Sequence, residues 1–221
     1  MGRIETRWLT AWILLLSFIS GYINLASIAL FSIPTTHMTG NLSNMVLEWH
    51  SQVFSEYYFY IILILSFFAG GIFSGIIFSK KLFHPSQRYG LLMVSFGVLL
   101  LIVNHFFHDN RKLLWFLSFM VGTQNGMFIY FRGTMIRTSH FTGYLTDAGF
   151  ALGRIIRGKY EDLWKLTFYL ANIGIFCLGG LSSLFAYAYL KTSIIHVAAM
   201  LYMVVGTYYF IFRKVFFKDI V

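Results

Sequence analysis

The sequence predicts an all-α, polytopic membrane protein: about six transmembrane helices forming two inverted three-helix repeats, each with a short extra motif helix after its first span. Three observations carry that prediction. Of the 221 residues, 58% are hydrophobic and only 11% charged, with a mean hydropathy of +0.71. A soluble domain averages about 25% charged residues, so a water-soluble globule of this size could not cover its surface with polar groups. Apolar runs such as Tyr57 to Phe78 have the length of roughly 20 residues that a helix needs to cross a bilayer. Finally, two polar stretches are near-copies. Thr36-His37-Met38-Thr39-Gly40-Asn41-Leu42-Ser43-Asn44 matches Ser139-His140-Phe141-Thr142-Gly143-Tyr144-Leu145-Thr146-Asp147, and each follows a long apolar segment.

The elements follow in order. The first span runs from about Trp8 to Phe31, with Pro34 marking its end. No small-residue cleavage site follows it, so it reads as a retained span and not a signal peptide. The first motif and a short amphipathic stretch reach to about His50. The second span covers Tyr57 to Phe78 and stops at Lys80-Lys81; the third covers Tyr89 to Phe107. The fourth runs from Leu113 to Phe131, before the second motif and another short stretch to about Gly153. The fifth, Leu163 to Leu190, is long enough to require tilt. The sixth covers Ser193 to Phe212 and ends in a basic tail.

Charge sets the orientation. With a cytoplasmic N-terminus and six spans, 14 of the 17 Lys and Arg residues fall on the inside. Making the motif stretches full spans, eight in all, lowers the inside count to 11. Each motif stretch is also about 20 Å long as a helix, too short for a hydrocarbon core of about 30 Å. Six spans with both termini cytoplasmic follow. The net charge of +9 is then a topology signal and no sign of nucleic acid. The single cysteine, Cys177, excludes an intrachain disulfide or a cysteine-based metal site.

The duplication extends past the motifs. Gly21-Tyr22-Ile23-Asn24 parallels Gly122-Thr123-Gln124-Asn125, and Phe67-Phe68-Ala69-Gly70-Gly71 parallels Phe176-Cys177-Leu178-Gly179-Gly180. The repeats are residues 1–110 and 111–221, in one integral membrane domain. Three spans is an odd number, so the halves enter the bilayer from opposite sides. That is the common plan of secondary transporters, whose sites lie where the halves meet.

Chemistry concentrates in the motifs. Thr39 and Thr142 are expected to cap short helices, while Gly40 and Gly143 admit another backbone or a ligand. A buried helix N-terminus with free N–H groups suits an anion or carboxylate. One turn of added helix would put His37, Asn41 and Asn44 on one face, and His140, Tyr144 and Asp147 on the equivalent face. Asp147 replaces the neutral Asn44 of the first copy, which suggests ion coupling or a salt bridge to Arg137 or Arg154. Asn24 and Asn125 precede their motifs by two to three turns and either line the same cavity or bond between helices. The glycine pairs also suit simple close packing of membrane helices. His105 and His108 beside Asp109 are a weak metal signal, and no metal or cofactor is expected.

With these motifs in view, the chain resembles the YoaK family of small bacterial membrane proteins, a group filed under a domain of unknown function. The residues carrying the resemblance are Gly21-Tyr22-Ile23-Asn24, Met38-Thr39-Gly40-Asn41, Gly122-Thr123-Gln124-Asn125-Gly126 and Arg137-Thr138-Ser139-His140-Phe141-Thr142-Gly143. Family members more often carry Asp where Asn24 stands. The resemblance implies a bacterial inner-membrane protein of about six helices and supplies no activity.

The expected function is a small secondary transporter or permease. It would bind a small polar or anionic solute through His37, Thr39, Gly40, Asn41, Asn44, His140, Thr142, Gly143, Tyr144, Asp147, Asn24 and Asn125. A non-catalytic assembly or regulatory protein is the alternative. An intramembrane lipid-modifying enzyme lacks a clear Ser/Thr–His–carboxylate set. Membrane lipids are expected partners, and a homodimer is plausible for so small a unit.

Overall fold

The computed structural model describes residues 3–78, 83–107, 110–127 and 130–217. Five long helices and three shorter ones make up nearly all of it. In order they are α1 (Arg3–Phe31), α2 (Met38–His50), α3 (Phe54–Ile77), α4 (Gln87–Phe106) and α5 (Leu113–Gly126), then α6 (Phe141–Ile156), α7 (Leu163–Leu190) and α8 (Ile194–Phe216). Five of them, α1, α3, α4, α7 and α8, are long and apolar enough to cross a membrane. The chain is therefore an all-α, multi-pass membrane protein. The short motif helices fall where the repeated polar stretches begin.

The fourth apolar segment differs from expectation. Its helix, α5, has only 14 residues, about 21 Å, and ends at Gly126 instead of reaching Phe131. Tyr130–Phe131 (β1) pairs antiparallel with Thr134–Met135 (β2). Arg132 and Gly133, both at positive φ (51° and 76°), form the two-residue turn such a ribbon favours. The Arg132 guanidinium lies 4.4 Å from the centre of the Trp164 ring, which ties the turn to α7. Lys80, Lys81, His108 and Asp109, invoked above for topology or as a weak metal signal, and Lys218 of the basic tail lie outside the described residues.

Helix pairing interleaves the two halves of the chain. α1 packs along α7, α3 along α5 and α4 along α8, while α2 lies on α3 and α6 on α7. Without a hydrophobic drive between helices in lipid, such pairs depend on close van der Waals approach through small residues. The glycines supply it at matching places. A Cβ on Gly21 would overlap the carbonyl of Phe176 across the α1–α7 seam, and one on Gly179 that of Phe18. On the α3–α5 seam, Gly122 faces the carbonyl of Phe67 and Gly70 that of Phe119. Gly97 and Gly206 do the same for α4 and α8, against Ala199 and Gly90.

The core centres on α1, α4 and α8, where Trp12, Phe96, Tyr202, Tyr209 and Phe212 are fully enclosed. Trp12 donates from Nε1 to the Val205 carbonyl at 3.1 Å and packs against Tyr89 and Tyr209. α1 is thus the inner helix of the molecule, whereas α3 and α7 present most of their surface outward.

Candidate functional site

The polar groups inside this apolar body are ordered along α1. Ser17, Ser20, Asn24 and Ser27 are all buried, and spacings of three, four and three residues put them on one face. Ser17 donates to Asn172 of α7 at 2.7 Å. Its counterpart on α5, Ser118, donates to the Leu63 carbonyl of α3 at 2.9 Å.

Both motifs hang on this stripe through the threonine that precedes them. Ser27 donates to the Ile23 carbonyl at 2.7 Å, which uses its only proton. Thr35, 3.3 Å away, is therefore the donor to Ser27. Thr138 sits 3.5 Å from Ser20 and accepts from Gln124 Nε2 at 2.7 Å. That amide also reaches Ser20 at 2.9 Å and the Leu16 carbonyl at 3.0 Å, and Gln124 Oε1 accepts from Tyr202 at 2.9 Å. Ser20 and Ser27 are seven residues apart, about 10 Å along the helix axis. The two polar elbows thus meet the same helix face two turns apart.

Beyond the threonines the elbows share an asparagine latch on the backbone, and each short helix reaches back to the residue seven before, with a donor in the first elbow and an acceptor in the second. The Thr36 amide donates to Asn24 Oδ1 at 3.1 Å, and the Ser139 amide to Asn125 Oδ1 at 3.2 Å. Asn41 reaches back to the Pro34 carbonyl at 2.8 Å, and the Tyr144 hydroxyl accepts from the Arg137 amide at 3.1 Å. His37 (φ −101°, ψ 67°) and His140 (φ −94°, ψ 66°) hold the same backbone conformation ahead of their helices. Each imidazole folds back over the glycine three residues on, so that a Cβ at Gly40 or Gly143 would strike it. This explains those glycines: they make room for the protein's own histidine.

The expected capping is corrected. α2 and α6 begin at Met38 and Phe141, so His37 and His140 hold the cap positions, and neither side chain bonds the first turn. Thr39 and Thr142 are already the second helical residue, and their carbonyls accept from Ser43 and Thr146 at 3.1 and 3.0 Å. Asn24 and Asn125 act as latches on the backbone of their own elbows.

The sequence-nominated residues fall into two groups. Asn24, Asn41 and Tyr144 are buried, and Asn44, Asn125, Gly40 and Gly143 are partly so. His37, Thr39, His140, Thr142 and Asp147 lie exposed at the elbow surface. Asn44 reaches the Tyr60 hydroxyl at 3.5 Å. Asn41 Oδ1 is buried without a hydrogen-bond partner, so it remains a free acceptor in the first turns of α2. Arg154 is engaged by Glu161 at 3.0 Å and Asp162 at 2.6 Å, not by Asp147. Partial desolvation, and then the charge of Arg137, hold the His140 imidazole below its ordinary pKa, with Asp147 pulling the other way. His140 is accordingly a neutral ring near pH 7. Among the described residues, no three of His, Cys, Asp or Glu gather as a metal site.

Sequence reasoning missed Ser20, Ser27, Thr35, Thr138 and Tyr202, and placed Gln124 in a span without giving it a role. The available signal was the shared threonine at 35 and 138, one residue upstream of each motif copy.

Residues 12–208, which include both elbows and the polar stripe, match the family described as "Protein of unknown function (DUF1275)". The chain belongs to that family. No curated protein and no solved structure matches it. The match to this DUF1275 protein runs from Trp12 in α1 to Tyr208 in α8, and the resemblance to YoaK proteins stands at this family level.

Proposed function

We propose that this DUF1275 protein is a small secondary transporter or permease for a small polar or anionic solute, and not an enzyme. One observation carries the reading: two elbows, each with a backbone amide latched by an asparagine and a threonine set against a buried serine, dock on one face of α1 about 10 Å apart. In this reading the halves are inverted repeats. The chain crosses the bilayer six times, with α5 and the ribbon after it making the fourth passage. The matched glycine seams support it, because α1 meets α7 by the same contacts with which α5 meets α3. A repeat interface is where inverted-repeat transporters place their substrate. The first-turn amides of α2 and α6, which no side chain caps, would face an anionic group, with His37, Thr39, His140 and Thr142 around it. The 14-to-3 division of basic residues supports cytoplasmic termini in a bacterial inner membrane.

The test is flux. Purified protein in sealed vesicles should move at least one solute from a panel of small anions and neutral polar molecules. Thr39→Ala with Thr142→Ala should reduce that flux while leaving the elution profile unchanged. Rates equal to those of empty vesicles across the panel would overturn the reading. The outward faces of α3 and α7 favour a second reading, a non-catalytic assembly or regulatory partner. A partner chain that co-purifies stoichiometrically and survives delipidation would favour it.

A further inference from the structure

A groove of about 510 Å³ opens between α3, α4 and α5. Phe73 and Ile76 of α3, Leu91, Ser95 and Leu99 of α4, and Phe119 of α5 form its walls. Among the described residues Arg88 is the one charged residue lining it, and it stands at one end, in the first turn of α4. From Arg88 to Leu99 the groove follows eleven residues of helix, about 16 Å. That is close to half of a hydrocarbon core of about 30 Å, the depth of one leaflet.

We propose that this groove binds an anionic phospholipid, with its phosphate at Arg88 and one acyl chain running along α4 toward Leu99. The wall chemistry suits methylene groups, and the volume lies in the range of small-molecule sites. The guanidinium is already oriented: one Nη donates to the Ile77 carbonyl at 2.9 Å, which holds it at the mouth and leaves its other N–H groups for a phosphate. Among the described residues no carboxylate pairs with Arg88. By the sequence charge count this end is the cytoplasmic one. The charged end of the site is not duplicated. In the register that aligns Gly97 with Gly206, the position matching Arg88 on α8 is Val197. Repeat symmetry therefore does not account for the arginine.

Native mass spectrometry of the purified protein, titrated with dioleoyl phosphatidylglycerol and, separately, dioleoyl phosphatidylethanolamine, tests it. The wild type should retain the anionic lipid preferentially. Arg88→Gln should lower that preference about tenfold, the loss expected for one charge-assisted contact. Ser95→Trp, which fills the groove and keeps Arg88, should remove the adduct of both lipids at unchanged elution volume. Equal retention of the two lipids by the wild type would overturn the proposal. So would an Arg88→Gln protein that keeps its preference, or a Ser95→Trp protein that keeps its adducts.

Discussion

At the scale of single residues, the polar interior depends on Gln124. Its side chain joins α1, α5, the second elbow and α8 through Leu16, Ser20, Thr138 and Tyr202. In a bilayer each interhelical hydrogen bond contributes about 0.6 kcal/mol on average, because the unfolded chain also finds partners in the membrane. Gln124→Leu should therefore cost about 2 kcal/mol, read as a lower thermal midpoint in detergent. A Thr35→Val change, which removes one hydroxyl donor, should cost about 0.6 kcal/mol. Equal effects would mean that Gln124 is no hub. Much of this was hidden from the sequence. Serine and threonine in an apolar helix read equally well as packing residues or as hydrogen-bond partners, and only the fold brings Ser20 to Thr138. The histidines were visible, but their rings turn onto Gly40 and Gly143, and nothing in the spacing says so.

At the scale of helices, the long spans were legible because apolar composition has few alternatives once it persists for twenty residues. α7 matched its expected limits, Leu163 to Leu190. The end of α5 was not legible, because Tyr130 and Phe131 continue its apolar run although they belong to a ribbon. The breaking signal, a turn with Arg132 at positive φ, is carried by a residue type that seldom adopts it. The glycine pairs permit a sharp contrast. Gly70 faces the Phe119 carbonyl, whereas Gly71 has nothing within 4 Å. Gly70→Ala should force α3 from α5 and cost about 1–3 kcal/mol, as overpacking does elsewhere. Gly71→Ala should be neutral or slightly stabilising in the same melt. Similar midpoints for the two variants would remove the close-contact account of that seam.

At the scale of the whole molecule, interleaving makes the two halves interdependent. The first helix of each half packs along a long helix of the other, α1 on α7 and α5 on α3. Residues 1–110 and 111–221 produced separately should each aggregate after extraction. Produced together, they should elute as one species at the position of the intact chain, since no helix pair named above is broken by a cut near residue 110. A well-behaved single half would contradict the interleaved arrangement. The twin polar motif was legible, because composition does not explain its copies; the pairing of helices across the two halves of the chain was not, because the motif copies leave open which helix lies beside which.

The buried serines two turns apart give α1 a lever's geometry. Each elbow is pinned to it on the same side, one at Ser20 and one at Ser27. Rocking this helix about a fulcrum between those pins swings its two attachments in opposite directions, while turning it about its own axis sweeps both sideways together.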